Sequence, residues 1–574
     1  MSDKTLEIAR RFVAEDPDPK TRAAGQALLD AGDAAAIADH FGARLEFGTA
    51  GLRAALGPGP NRMNRAVVRR TTAGFGHYLL GTLPDAAKRG VAIGFDGRHG
   101  SREFAQDAAA VLAGLGVRVL RFTEVVPTPL LAFAVKHHGC AGGVMVTASH
   151  NPPADNGYKV YWADAAQIVP PHDAGISAAI DAIETLATVE VPALDAVGGL
   201  VEVVPPSTVA AYLDAVAALR VFPGGVPLRV VYTAMHGVGR KMVEAALDAA
   251  GYTDRHLVVE QCEPDPDFPT VAFPNPEEPG ALDLALALAG KVGADLLIAN
   301  DPDADRLAVA VPDGQGGYRA LTGNQIGVLL ADELLQYGKA APGRLVATTV
   351  VSTGLLARLA DEYGADYVET LTGFKWIAAA ALRRDAAGGR FVFGFEEALG
   401  YSAGSVVRDK DGVSAALLFC DLAARCRAEG RGVLDRLAAI YRRHGLFQSR
   451  QHSLKLPGAE GAKRIEALMA ALRADPPTQL AGTPVLRVRD LLTGEAREGG
   501  RTTPIDLPRS DVLAFDLADG SRALVRPSGT EPKIKFYFEV RAPFAEGDAL
   551  AAAEARAAGR LDALQTDLLT RAGG

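Results

Sequence analysis

One alternation governs the middle of this 574-residue chain. Short apolar runs suited to strands take turns with helical stretches, and the cycle strand–helix–strand–helix–strand–loop is passed through three times. The first pass contains G-V-A-I-G-F at 90–95, V-R-V-L-R-F at 117–122 and G-G-V-M-V at 142–146. The second contains L-R-V-V-Y at 228–232, H-L-V-V at 256–259, a helical stretch at 281–289 and D-L-L-I-A at 295–299. The third opens on R-L-V-A-T-T at 344–349 and closes on R-F-V-F at 390–393. Runs that are apolar throughout suit strands covered on both faces, so parallel or mostly parallel sheets flanked by helices follow. The spacing far exceeds a solenoid repeat and points to duplicated domains.

The expected fold is α/β: three related α/β domains with mixed or mostly parallel sheets, plus a smaller C-terminal α+β domain, around a central cleft. The expected domains are residues 1–205, 206–318, 319–446 and 447–574. An Ala-rich stretch at 5–40 reads as one or two helices ahead of the first sheet. The junctions read as V-V-P-P-S at 203–207, a turn at D-G-Q-G-G, 313–317, and the stretch 444–457.

Each pass ends in a polar loop at the carboxyl end of a strand, where open α/β sheets bind ligands. The first loop is T-A-S-H-N-P at 147–152; Pro152 and Pro153 prevent a helix from starting at once, so Ser149 is presented on a short turn. Out of context those six residues read as an ordinary polar turn. The second loop is D-P-D-A-D-R at 301–306. Asp301, Asp303 and Asp305 offer three hard oxygen ligands at a spacing that suits Mg²⁺ or a similar ion. A calcium EF-hand is excluded, because Arg306 stands at the sixth position and Pro312 at the twelfth. An acidic surface turn is the other reading; mutual repulsion of three carboxylates and the apolar flanks speak against it. The third loop is G-F-E-E-A-L-G-Y at 394–401, where Glu396 and Glu397 suit either an acid–base pair or acceptors for sugar hydroxyls.

Beyond the three passes, R-P-S-G-T-E-P-K at 526–533 supplies a guanidinium, two hydroxyls and a glycine that lets backbone approach a ligand. That is phosphate-capture chemistry, with a plain hairpin turn as the alternative. There is no G-x-x-x-x-G-K-[ST], so a nucleotide P-loop is not implied, and no Ser–His–Asp set stands out. His150, Lys159 and Lys410 carry no signal alone. A net charge of −9 without a basic tail argues against nucleic acid. No apolar stretch is long enough to span a membrane, the N-terminus lacks a signal-peptide core, and the four cysteines form no C-x-x-C pair. The expected compartment is the cytoplasm, with reduced thiols.

Taken together and in this order, F-G-T-A-G-L-R (47–53), T-A-S-H-N-P, D-P-D-A-D-R, G-F-E-E-A and R-P-S-G-T-E-P-K resemble the α-D-phosphohexomutase superfamily, the phosphoglucomutases and phosphomannomutases. The similarity runs through all four expected domains. P-N-P-E-E-P-G (274–280), T-G-F-K-W (372–376) and D-K-D-G (409–412) look most like its phosphoglucomutase-2-like branch, which includes phosphopentomutases.

The resemblance implies an isomerase that moves a phosphoryl group through a phosphoserine and a sugar 1,6-bisphosphate, with Mg²⁺ as cofactor and a small phosphosugar as its partner. By motif position Ser149 would be the phosphoserine, and Asp301, Asp303, Asp305 and a phosphoserine oxygen would hold the metal. Arg53, His150, Lys159 and Lys410 would move protons and stabilise charge. Arg306, Thr372, Gly373, Lys375, Glu396 and Glu397 would contact substrate. Arg526, Ser528, Gly529, Thr530 and Lys533 would grip the phosphate that is not reacting. Glucose is the expected sugar, with mannose beside it. A phosphopentomutase or a sugar-bisphosphate synthase would use the same parts, and a non-catalytic sugar-phosphate sensor stands further off. One position departs from the pattern: where related glucomutases carry a serine in the sugar loop, this chain has Ala398.

Overall fold

The computed structural model describes residues 3–47, 51–456, 458–528 and 533–572. Each of the three passes folds into its own sheet, and each sheet lays its strands in the order third, first, second. In the first sheet Gly142–Val146 pairs with Val91–Phe95, and Val119–Arg121 lies beyond. In the second, Leu296–Ala299 pairs with Val230–Thr233, and Arg255–Leu257 lies beyond. In the third, Arg390–Glu396 pairs with Arg344–Thr349, and Asp366–Thr370 lies beyond. All six pairings are parallel. Helical crossovers such as Thr128–His137, Asp283–Val292 and Phe374–Ala386 feed the third strands.

The sheets are mixed, because each copy contains a fourth strand outside the three-strand cycle. Asp155–Tyr161, Ala308–Pro312 and Gly400–Ala403 each turn back antiparallel to the third strand of their sheet. Every polar loop is therefore the link of a hairpin, tied at both ends. Each link holds one non-glycine residue in the left-handed region: Ser149 at φ 53°, Ala304 at 54° and Leu399 at 63°. Such a conformation costs an L-residue about 1–2 kcal/mol, so its surroundings must hold it.

Other sequence expectations shift. The Ala-rich N-terminus forms three helices, Asp3–Glu15, Pro19–Ala31 and Ala34–Phe41, packed on a small core of their own around Ala9, Val13, Ile37 and Phe41. Aspartates 18 and 33 cap the second and third of these. The strand expected at 256–259 ends at Leu257; the chain turns at Val259–Gln261 so that Gln261 can accept from the Thr233 hydroxyl at 2.6 Å. The helix expected at 281–289 begins at Asp283 and runs to Val292, where left-handed Gly293 stops it. The stretch 444–457, read as a junction, is mostly a strand: Leu446–Lys455 pairs over its whole length with Lys533–Ala542.

That pair opens the fourth sheet, which is antiparallel throughout. The helices Gly458–Ala474 and Leu550–Arg571 pack against it. One apolar cluster runs through all four sheets, taking in Met145, Ile298, Phe395 and Phe538. Burial of such side chains, at roughly 25 cal/mol per Å² of apolar surface, fixes the sheets relative to one another.

Candidate active site

In each of the three sheets, the loop after the first strand grips the hairpin link after the third. In the first sheet the grip is Arg98, whose side chain is 1% exposed. Its Nη2 donates to the carbonyls of Ser149 (2.7 Å) and Asn151 (2.5 Å), and its Nη1 to those of Pro152 (2.8 Å) and Asp155 (3.1 Å). Asp96 stands 3.4 Å behind as counter-ion. In the second sheet the Val238 N–H donates to the Pro302 carbonyl at 2.8 Å. Gly237 lies so close that a Cβ there would stand 2.3 Å from Pro302 Cα. In the third, Ser352 Oγ donates to Glu397 Oε2 (2.8 Å) and accepts from the Glu397 N–H (3.0 Å).

Held this way, the first and second links meet. Ser149 is 1% exposed. Its Oγ donates to Asp301 Oδ2 at 2.8 Å and lies 3.1 Å from His150 Nδ1. Asp301, Asp303 and Asp305 are all fully buried and bring one carboxylate oxygen each to within 4.8 Å of one another. Lys159, on the first return strand and also fully buried, donates to Asp303 (2.7 Å) and Asp305 (2.9 Å). The Thr128 hydroxyl donates to Asp303 at 2.5 Å. Lys410 reaches Asp305 at 3.2 Å. Arg306 donates its backbone N–H to Asp301 (3.0 Å) and Nη1 to the Ala398 carbonyl (2.9 Å), joining the second link to the third.

The electrostatics follow from this crowding. Burial opposes ionisation of Asp303, but Lys159 and Thr128 overcome it and hold its carboxyl well below the usual range. Burial and Asp303 push Asp305 up, while Lys159 and Lys410 pull it further down. Burial, together with the charges on Asp303 and Asp305, pushes Asp301 well above the usual range. Burial would lower the Lys159 and Lys410 ammoniums, and the aspartates more than reverse it, so both stay charged. His150 is neutral: burial lowers it, and Arg306 and Arg53 lower it further. Arg53, on the strand Leu52–Ala55, is pulled down by burial and sustained by Asp303 and Asp305.

The triad suits a hard divalent cation. Asp303 Oδ1 and Asp305 Oδ1 are buried and accept no hydrogen bond among the described residues, and such oxygens are costly unless something binds them.

The remaining sequence-derived residues fall on two other walls. Glu396 Oε1 accepts from the Gly373 N–H at 2.8 Å, so the T-G-F-K-W turn supports the third link from behind. Burial raises the Glu396 carboxyl, with Lys410 opposing. Thr372 is half-buried beside that turn. Lys375 goes elsewhere: its ammonium lies 5.7 Å from the Trp376 ring, lowered by burial and steadied by Asp173. Arg526, next to last in the strand Arg522–Pro527, lies against the Tyr537 hydroxyl. The Ser528 N–H donates to the Lys533 carbonyl at 2.7 Å. Gly529 and Thr530 lie outside the described residues.

A cleft of about 760 Å³ joins these walls, lined by His150 from the first sheet's loop, Glu277 and Arg306 from the second domain, Glu397 and Ala398 from the third, and Lys533 and Lys535 from the fourth. Sequence reasoning missed Asp96, Arg98, Thr128 and Lys535 as parts of this assembly. D-G-R directly after a first strand was the available signal for Arg98. Asp409 and Asp411 were also passed over: Asp409 accepts from Tyr161 (2.7 Å) and Gln167 (2.7 Å), and Asp411 from Tyr212 (2.8 Å). Asp411 also caps the helix Gly412–Ala428, so Lys410 is held between two anchored neighbours.

Three like α/β domains and a fourth, closing on a buried serine, a carboxylate triad and a cationic wall, define an enzyme built for phosphoryl transfer. Comparison narrows the class. Models of the four phosphoglucomutase/phosphomannomutase domains match the chain in order: alpha/beta/alpha domain I at 44–187, domain II at 210–315, domain III at 322–443 and the C-terminal domain at 455–557. The chain therefore belongs to the phosphoglucomutase/phosphomannomutase family, whose members are isomerases that transfer a phosphoryl group.

A probable phosphomannomutase of Haemophilus influenzae is 41% identical over 483 residues, 83% of this chain and 93% of that protein. A probable phosphoribomutase of Schizosaccharomyces pombe is 40% identical over 557 residues, 93% of each chain. Other relatives are named phosphopentomutase and phosphoglucomutase. A crystal structure of a putative phosphomannomutase from Thermus thermophilus superposes with a TM-score of 0.68 at 25% identity, covering 93% of this chain and all of that one. Among the described residues no helix is long and apolar enough to cross a membrane.

Proposed function

We propose that this chain interconverts glucose 1-phosphate and glucose 6-phosphate, with mannose phosphates as secondary substrates, through a phosphoserine at Ser149 and a sugar 1,6-bisphosphate. The observation that carries the reading is Ser149 Oγ at 2.8 Å from Asp301, inside a triad with two orphaned carboxylate oxygens and Lys159 and Lys410 beside it. In the first half-reaction the sugar's 6-hydroxyl oxygen attacks the phosphorus of phosphoserine, the P–Oγ bond breaks, and the hydroxyl proton passes to a nearby base. The bisphosphate reorients. Ser149 Oγ then attacks the phosphorus at C1, the C1 oxygen takes a proton, and the sugar 6-phosphate leaves.

The chain's residues supply what such a transfer needs, which is positioning and charge stabilisation more than covalent chemistry. Asp301, Asp303 and Asp305 would hold Mg²⁺, which when bound neutralises charge on the transferring group. Lys159 and Lys410 carry fixed positive charge to the same point. His150 Nδ1, 3.1 Å from Ser149 Oγ, is placed to exchange a proton there. Arg306 ties the metal link to the sugar link, so the nucleophile and the sugar loop keep a fixed separation. Glu396 and Glu397 accept sugar hydroxyls. Arg526, Ser528, Gly529, Thr530 and Lys533 hold the distal phosphate from the fourth domain.

A second reading, phosphopentomutase, draws on Ala398, which removes a hydroxyl from the sugar loop, and on relatives named phosphoribomutase and phosphopentomutase that match over at least 93% of this chain. A coupled assay with glucose, mannose, ribose and deoxyribose 1-phosphates decides between them. Highest kcat/KM on glucose 1-phosphate is expected; a larger value on either pentose overturns the hexose assignment.

A further inference from the structure

The loop between Cys262 and Asp283 in the second domain carries no strand or helix, yet it is stiffly built. Prolines 274, 276 and 279 restrict φ along it. Asn275, 8% exposed, locks its centre: its side-chain oxygen accepts from the Glu277 N–H at 3.2 Å, and its carbonyl from the Glu278 N–H at 2.9 Å. Glu277 is thereby presented into the cleft, which it lines together with Ala398 and Lys535. Its side chain is 41% exposed and lies 3.8 Å from Arg306 Nη1. Among the described residues its carboxylate accepts no hydrogen bond, so its acceptor sites face the cleft unspent.

Service to Arg306 alone does not account for it. The Arg306 guanidinium already donates to the Ala398 carbonyl at 2.9 Å, and its Nε lies 3.9 Å from both Asp301 and Asp305. A third carboxylate at 3.8 Å adds little at that exposure, where ion pairs contribute about 0–1 kcal/mol. Arg306 does, however, stand between Ala398 and Glu277, so the two residues border the same part of the cleft.

We propose that Glu277 is a sugar-reading residue: its carboxylate accepts hydrogen bonds from substrate hydroxyls where Ala398 offers none. A site that hydrogen-bonds a substrate hydroxyl favours the sugar that carries it over one that lacks it. Selectivity in this chain is thus divided between the sugar link of the third domain and a proline-stiffened loop of the second. The inference rests on the mutase reading above and names the residue that discriminates within it.

The test uses the full chain, wild type and Glu277→Ala and Glu277→Gln, with kcat/KM on glucose, mannose and ribose 1-phosphates, and melting temperature on the same preparations. Glu277→Ala is expected to lower kcat/KM on the best sugar at least tenfold and on the poorest by less than threefold, compressing the ratio. Glu277→Gln, which keeps one acceptor oxygen, is expected to restore part of that ratio. An equal fall on every sugar would assign Glu277 to Arg306 and overturn the proposal, as would unchanged kinetics. Wild-type chain that turns over no sugar phosphate would overturn the mutase reading and this inference together, an outcome distinct from an active enzyme with a flat ratio.

Discussion

The links Asp301–Arg306 and Glu396–Leu399 are sister turns. Both follow the third strand of a sheet, both return antiparallel, and both contain a left-handed residue, Ala304 and Leu399. Yet the second-sheet link has turned its acids inward. Its three carboxylates are fully buried and compensated by Lys159, Lys410 and Arg306. The third-sheet link keeps Glu396 and Glu397 half-buried: Glu396 accepts from the Gly373 N–H, Glu397 from the Ser352 and Thr349 hydroxyls, and Glu397 lines the cleft. One backbone device therefore serves two purposes. Where neighbours supply several opposite charges it builds a buried acidic centre, and where they supply mainly hydrogen bonds it leaves its acids half-buried. Changes in the buried link should abolish turnover, and changes around the open link should redistribute it.

The largest effect belongs to Ser149→Ala, which removes the hydroxyl that donates to Asp301. Turnover should fall to background while melting temperature and sugar-phosphate affinity stay near wild type. Normal steady-state turnover by this variant would end the covalent mechanism. Next, Asp303→Asn leaves Lys159 and Thr128 without their shared anionic acceptor, and thorough chelation of wild type should mimic its loss of activity. We expect destabilisation of roughly 1–3 kcal/mol, the cost of leaving buried polar groups unpaired, read by denaturant melts. Full activity in chelator, or a variant as stable as wild type, would break the contrast between the sister links.

Arg526→Ala tests the far wall. Loss of a charge-assisted hydrogen bond of about 1.5–3 kcal/mol corresponds to a fall of roughly 10- to 150-fold in kcat/KM. Bisphosphate should leak, and dependence on added bisphosphate should rise. Lost stability with wild-type kinetics would make Arg526 part of a structural turn. The smallest effect is expected from Ala398→Ser on the open link: stability within about 0.5 kcal/mol and a several-fold change in the glucose-to-pentose ratio. Flat ratios across the panel would show that this position does not read the sugar.

The parallel strands were legible because strands buried on both faces are apolar at every step, as V-A-I-G-F at Val91–Phe95 is. The first return strand was not. D-N-G-Y-K-V-Y contains an aspartate, an asparagine and a lysine, and Lys159 is buried only because another domain brings Asp303 and Asp305 to it. Long-range charge matching leaves no mark in local periodicity. The strand Leu446–Lys455 was hidden for a related reason: Q-S-R-Q-H-S is half-exposed, and its pairing partner lies far along the chain. The chemical loops stood out because three aspartates at alternate positions, or an arginine beside two hydroxyls, are unusual combinations. Their supports did not, since D-G-R and a lone threonine resemble ordinary turn and cap residues; only the fold shows that Arg98 and Thr128 hold the serine and the triad in place.

The burial of Ser149 also decides who may write on it. A protein kinase must draw an extended stretch of its target into its own active site. Here the four carbonyls of Ser149, Asn151, Pro152 and Asp155 are nailed to one guanidinium, and the hydroxyl faces an aspartate inside a domain junction. Unfolding that turn for a visiting enzyme would mean breaking the Arg98 clamp. On the mechanism proposed above, a small phosphosugar entering the cleft reaches this serine without that rupture, and a protein kinase does not.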